Sequence, residues 1–545
     1  MASNKIASVV CVLVFAVPGV FAQNNLPHLA GQGSTKQLIV DGKPLLMLGG
    51  ELGNSSSSTL EYMAPIWPRL AAQNLNTVVA PVYWELIEPV EGAFDFDVVD
   101  GLIAGAREHE MRLVILWFGS WKNSMSSYVP AWVKRDQKRF PRARLRDGSP
   151  VEILSPFYPT NASADAKAFE AFMKHLREID GEEHTVVMVQ VENEIGMIPE
   201  ARDHSEQADA AFRSEVPRGL MDYLKKNREL LHPALLEHWK SSNYASSGSW
   251  ESVFGVGVET DELFMAWHFA QYVEEVTALG KAAYNLPMDV NAALIRPGRK
   301  PGEYPSAGPL PHLIDVWRAG APSIDFLAPD VYFPNFVEWI GKYDVPGNPL
   351  FIPEAGYAGA PTSPANAFYA IGAHDAMGYS PFSIENLPDD DLMGSTYATL
   401  GSLAPLILEH QGGETIAGVR PPVSFDGTVD ESPQPVEIGD YVLNVSFVDP
   451  WTPREEQRPE THGGLIIALD KETFLVAGVG LTITFSVRGA PDVVAGIEMV
   501  EEGSMVDGEW QRARVMNGDQ THQGRHLRLP LGEIGVQRVK LYQYK

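Results

Sequence analysis

The chain has 545 residues, 45% hydrophobic and 10% aromatic. That much apolar surface excludes a disordered protein, and at about 150 residues per domain the length predicts two or three domains. Forty-two basic against 70 acidic side chains leave a net charge of −28, a surface that repels phosphate backbones and anionic headgroups; nucleic acid and membrane surfaces are excluded as partners in favour of a neutral ligand.

Residues 1–22 run from Lys5 through an apolar stretch at 6–17 to Val20-Phe21-Ala22. This is the order of a secretory signal cleaved near Ala22; the short run, interrupted by Pro18, argues against a membrane anchor. The mature chain would be exported, periplasmic or extracellular. The only cysteine, Cys11, leaves with the leader, which excludes a disulfide framework, a thiolate zinc site and a cysteine nucleophile.

From residue 45 to 385, short runs rich in Val, Ile and Leu alternate with longer helical patterns. Strands are predicted at 45–50, 77–84, 112–119, 186–194, 288–294, 324–332, 350–356 and 378–385, with helices such as 62–73, 98–109, 164–179 and 264–283 between them. Near-continuous apolar strands alternating with amphipathic helices imply a parallel sheet covered on both faces. The predicted fold is therefore α/β, a (β/α)8 TIM barrel with insertions over residues 23–411. An open doubly wound sheet would want a phosphate-binding glycine loop, and Gly255-Val256-Gly257 and Gly478-Val479-Gly480 lack the third glycine. Beyond 411 the pattern changes. Residues 412–434 are rich in Gly, Pro and acids, and period-two runs follow at 441–448, 465–469, 473–487, 496–500, 510–515, 526–531 and 536–542, an antiparallel β-sandwich over 412–545.

Function in such barrels collects at the carboxyl ends of the strands. Those ends hold Glu51, Tyr83-Trp84-Glu85, Trp117 with Trp121, Glu192-Asn193-Glu194, Asn291, Asp330 with Tyr332, Glu354 and Glu385. Carboxyls and aromatic rings are what hydrolysis of a glycosidic bond requires. The chain has no H-E-x-x-H zinc motif and no G-x-S-x-G elbow. By strand alternation Gln190, Glu192 and Glu194 would share a face, and acids on an inward face cost several kcal/mol unless bonded or used. Glu192, one pleat deeper than Glu194, reads as a buried structural partner.

The segments Val191-Glu192-Asn193-Glu194-Ile195-Gly196 and Glu88-Pro89-Val90-Glu91-Gly92-Ala93-Phe94-Asp95-Phe96, with Glu354 on the seventh strand, resemble the family 35 β-galactosidases of the clan A retaining glycoside hydrolases, with family 42 as a near relative. The resemblance covers roughly residues 45–385. It implies that Glu194 is the general acid/base, Glu354 the nucleophile, Asn193 a partner of the sugar 2-hydroxyl, and Tyr332 a contact of the nucleophile. Tyr83, Glu85, Trp117, Asn123 and Glu51 complete the expected substrate-binding set. The chain departs from the family after the third strand, where Trp117-Phe118-Gly119-Ser120-Trp121-Lys122-Asn123 replaces a Cys-Ala-Glu-Trp type segment whose acid grips galactose. The loop Gly50-Glu51-Leu52-Gly53-Asn54 is likewise unlike the common His-Tyr form. Galactose specificity is thus less firmly implied than hydrolysis.

The expected function is a retaining exo-β-galactosidase acting by double displacement on terminal β-galactosyl residues of neutral oligosaccharides or plant polysaccharide side chains. No cofactor or metal is implied, since both catalytic groups are carboxyls. The sequence does not fix an oligomeric state; a homodimer is one option. Alternatives are another exo-β-glycosidase on the same barrel, or a catalytically silent carbohydrate-binding barrel.

Overall fold

The computed structural model describes residues 26–545 apart from residue 34; the leader expected at 1–22 lies outside the described residues. Five parallel strands, Thr77–Tyr83, Arg112–Phe118, Val186–Val191, Met288–Ala293 and Phe326–Asp330, pair in chain order. Three more, Phe351–Ile352, Gly378–Tyr379 and Met47–Leu48, form a second parallel set. Parallel bridges Asp330–Glu354 and Glu51–Val79 link the two sets at both edges, so pairing leads from each strand to the next and back to the first. With Met47–Leu48 counted first, these are the eight strands predicted, several of them shorter than their apolar runs.

The strands are buried on both faces, as in TVVAPVY at 77–83, which is why they read as continuous apolar runs. Met47, Val79, Val114, Leu116, Phe326, Phe351 and Met377 point into the ring and form one cluster. Their neighbours point outward to helices such as Asp97–Glu108, which buries Val99, Leu102, Ile103 and Ala106 at helical spacing. A hairpin that the sequence pattern did not reveal, His28–Gln32, Thr35–Val40 and Lys43–Leu45, adds Leu38 and Val40 to the inner cluster. Its Asp41 carboxylate pairs with Arg112 at 3.0 Å and His184 at 2.7 Å, beside the starts of the third and fourth strands. That closes the end of the ring opposite the candidate site.

After helix Leu392–His410 the chain forms a six-stranded and a four-stranded antiparallel sheet around Leu443, Ile466, Val476, Ile483 and Val539. The run 473–487 is two strands, Thr473–Val479 and Thr482–Val487, one in each sheet. Gly480 turns the chain between them at φ 66°, where a Cβ would stand 2.4 Å from the His462 ring. Helix Ser363–His374 lies directly on Ile416–Val419 and Gly463–Ala468. A methyl at Gly372 would sit 3.0 Å from the Gly418 Cα, and one at Gly418 only 2.6 Å from the Ala373 amide nitrogen. At these two positions the halves meet backbone to backbone, while Leu465 and Ile467 beside them pack into the core around the helix. Among the described residues no helix is long and apolar enough to cross a membrane.

Candidate active site

The fourth strand ends at Val191, and both Glu192 (φ 62°) and Glu194 (φ 41°) are left-handed. Non-glycine residues rarely adopt this backbone, and it costs about 1–3 kcal/mol each. It breaks the alternation expected from the sequence, so Gln190, Glu192 and Glu194 do not share a face. Glu192 turns behind the strand, where its Oε2 accepts from the Trp121 backbone N–H at 2.7 Å. Asn193 faces inward instead. Its Oδ1 accepts from Gln190 at 3.0 Å and Asn291 at 2.9 Å, and its Nδ2 donates to the Lys122 carbonyl at 2.8 Å.

The Glu194 backbone N–H donates to Asn291 Oδ1 at 2.9 Å, and Asn291 Nδ2 donates to Asp330 at 2.7 Å. Tyr332 donates to Glu354 Oε2. Carboxylate oxygens of Glu194, Asp330 and Glu354 lie within 4.8 Å of one another. Direct attack by one carboxyl calls for a pair about 5–5.5 Å apart, and oxygens this close place Glu194 and Glu354 side by side.

Burial raises the Glu194 carboxyl to about 8, helped by the negative charge of Glu354 and opposed by Lys122. It holds a proton at neutral pH. Burial raises Glu354 too, but Lys122, the Tyr332 hydroxyl and Asn193 all favour its ionised form. One carboxyl is thus equipped as acid and the other as anion. Burial first, and Glu354 next, push Glu51 and Asp330 well above the carboxylate range. Glu51 is buried beside Glu354, whose ionised form it also favours, and Oδ1 of Asp330 is buried without a hydrogen-bond partner among the described residues.

Above this floor a cavity of about 670 Å³ is lined by Glu194, Asp330 and Tyr332 together with Met125, Phe333 and Tyr357. Glu194, Asp330 and Glu354 form the one grouping among the described residues whose oxygens are close enough to share a metal ion. Lys122 already brings positive charge to that group, and two of its carboxylates accept from Tyr332 and Asn291.

Residues 66–246 match the glycoside hydrolase family 42 model, Beta-galactosidase. A second model, Domain of unknown function (DUF5597), matches residues 393–528. A Beta-galactosidase of Xanthomonas manihotis is 29% identical over 214 residues, 38% of this chain and 33% of the relative. The match therefore spans about a third of the length of that curated relative. A catalytic mutant of a family 42 beta-galactosidase from G. stearothermophilus has a TM-score of 0.50 at 11% identity, covering 91% of this chain and 98% of that one. The beta-galactosidase from Rahnella gives 0.44 at 16% identity over 70% and 59%. The family model makes family 42 the better fit over residues 66–246, and none of these matches names family 35, which the motifs put first.

The other expected binding residues divide by environment. Glu51 lies beside Glu354, Glu194 and Asp289, fully buried and outside the cavity lining, and Tyr332 lines the cavity with its hydroxyl on Glu354. Tyr83 points into the ring, buried against Phe118 and Tyr128, with its hydroxyl 3.2 Å from Ser57. Like Glu51 and Tyr83, the residues Trp117, Glu85 and Asn123 do not line the cavity. Trp117 is fully buried on the outer side against Phe169 and Phe172, because its Nε1 is bonded to Asp165 at 2.9 Å. Glu85 is paired with Lys134 at 2.7 Å. Asn123 folds back on its own turn, accepting from Met125 N at 2.9 Å and Ser126 Oγ at 3.1 Å. Trp84 and Trp121 are buried packing residues, and Glu385 anchors the loop at Gly53 and Ser56.

Sequence reasoning passed over Lys122 and Asp165. Lys122 stood inside the departing third-strand loop, the only cation there. Asp165 lies on the buried face of Pro159–Asp180 with Asn161 and Phe169, an acid on an apolar helix stripe. Its Oδ2 accepts from Ser120 N at 3.0 Å and Tyr272 at 3.1 Å, and its charge is the largest cause after burial that raises Glu192.

Proposed function

We propose that the protein is a glycoside hydrolase, a retaining β-galactosidase that removes terminal galactosyl units by double displacement. The observation that carries this is the close set of Glu194 and Glu354, one protonated by burial and one supplied with donors to its anion. Glu354 attacks the anomeric carbon while Glu194 passes its proton to the departing glycosidic oxygen, leaving a glycosyl ester on Glu354. Esterification removes the Glu354 charge that helped to raise Glu194, so Glu194, now a carboxylate, accepts a proton from water as that water attacks the ester. Both carboxyls return to their starting states.

The third-strand loop lacks the acid that grips galactose in the resembled family. Asp330, which lines the cavity and whose buried Oδ1 has no partner among the described residues, stands in its stead and takes a sugar hydroxyl. The closed pairing of parallel strands is read as a (β/α)8 barrel, followed by a sandwich. The leader-like residues 1–22 support action outside the cytoplasm on terminal sugars of oligosaccharides or plant polysaccharide side chains.

A panel of nitrophenyl β-glycosides tests the reading. Galactoside is hydrolysed best, and Glu194→Gln and Glu354→Gln each lower kcat by about three powers of ten or more. Wild-type rates equal to the double variant on every glycoside refute hydrolysis, while preference for a glucoside or arabinoside refutes the sugar assignment. Azide restores Glu354→Gly, giving product of inverted configuration.

A further inference from the structure

Large exposed apolar side chains are uncommon on a folded surface unless something covers them. Several gather at the mouth of the catalytic cavity. Met125 and Tyr357 line it, each 63% exposed. The Tyr357 ring stands 5.0 Å from that of Tyr332, whose hydroxyl holds Glu354, so this surface is continuous with the reacting centre. Phe333 also lines the cavity, and Phe425 stands edge-on to it at 5.2 Å, still 38% exposed.

Phe425 does not come from the ring. It sits on a hairpin turn at 423–429, in the segment leading to the C-terminal sheets, and the turn is built to hold it. Val423 bridges Val429. Ser424 N donates to the Thr428 carbonyl at 2.8 Å, Thr428 N to Asp426 Oδ1 at 3.0 Å, and Asp430 N to the Pro422 carbonyl at 2.9 Å. Gly427 takes the left-handed corner at φ 87°.

We propose that Tyr357, Phe333 and Phe425, with Met125, form the binding face for the second and third sugar units on the leaving-group side, and that the C-terminal segment thereby completes the cleft. Aromatic rings offer broad apolar faces to the C–H faces of sugars, and these lie where a chain leaving Glu194 must pass. The substrate is accordingly an oligosaccharide or a polymer side chain rather than a short glycoside. This inference rests on the β-galactosidase reading.

The test is kcat/KM for a methyl β-galactoside and for galactose-terminated di-, tri- and tetrasaccharides. Wild-type values rise with each added unit. Phe425→Ser and Tyr357→Ala each lower the ratio of tetrasaccharide to methyl galactoside by about tenfold, while Phe425→Trp restores it. Unfolding midpoints of the purified variants separate a lost contact from a lost fold. Flat values across the series in wild type, or ratios unmoved in both variants, overturn the inference while leaving hydrolysis intact. Wild type inert on every galactoside overturns the β-galactosidase reading, and this inference with it.

Discussion

Replacing Glu354 by Gln isolates the cause of the Glu194 pKa. The amide keeps the shape of the carboxylate and accepts from Tyr332, but carries no charge. In the native protein burial is the largest cause that raises Glu194 to about 8, and the Glu354 charge is the next. Removing that charge lowers the Glu194 value from 8, yet the larger cause persists and holds it above the ordinary 4.5. Each pH unit of the fall corresponds to about 1.4 kcal/mol of repulsion between the two carboxylates. Infrared difference titration of the carboxyl band reads the value directly, with Glu194→Gln on the same background to identify it. In wild type the same proton sets the alkaline limb of kcat/KM near pH 8, with about tenfold loss per pH unit above it. A value unmoved at 8 in Glu354→Gln shows that the carboxyls do not sense one another and refutes the assignment of roles, while a fall all the way to 4.5 refutes burial as the larger cause.

Tyr332→Phe removes a donor that favours ionised Glu354, so the acid limb of the pH profile moves to higher pH and kcat/KM falls by about ten- to a hundredfold. Carboxyls raised on folding, among them Glu194, Glu51 and Asp330, contribute stability that is whole below their unfolded values and is lost as pH rises through the folded ones. The melting temperature therefore declines from about pH 4.5 to 8, and Glu194→Gln flattens that decline in a calorimetric pH series. Glu192→Ala leaves the buried Trp121 N–H without its acceptor and costs about 1–3 kcal/mol in denaturant unfolding. Glu192→Gln keeps an acceptor there and costs less.

Strand positions were legible because strands buried on both faces leave continuous apolar runs. The N-terminal hairpin was not, since its Lys43-Pro44-Leu45 edge carries no alternation. Glu194 and Glu354 stood at strand ends, where the chain direction alone gives their surroundings. Trp117 looked like a sugar platform because sequence fixes how far along a strand a residue lies but not which neighbour claims it. Asp165, from a helix 48 residues on, took its indole nitrogen. The alternation rule failed at Glu192 and Glu194 for a local reason, as two left-handed residues reset the side-chain direction just where the strand delivers its acids. Lys122 went unnoticed because a lone cation in a loop acquires meaning only when four carboxyls from distant strands surround it.

The glycine seam between helix Ser363–His374 and the C-terminal sheet bears on how such a protein can be inherited or re-engineered. Where two units meet through side chains, one can be exchanged and the contact repacked. Here Leu465 and Ile467 join the core around the helix, but Gly372 and Gly418 bring backbones together between them, and any Cβ at Gly418 meets a backbone amide. The strands at 416–419 and 463–468 are thus not a removable module but the outer cover of a ring helix. Grafting another accessory region after residue 411 requires glycine at the same register, and fusion libraries that vary those positions select for glycine before anything else.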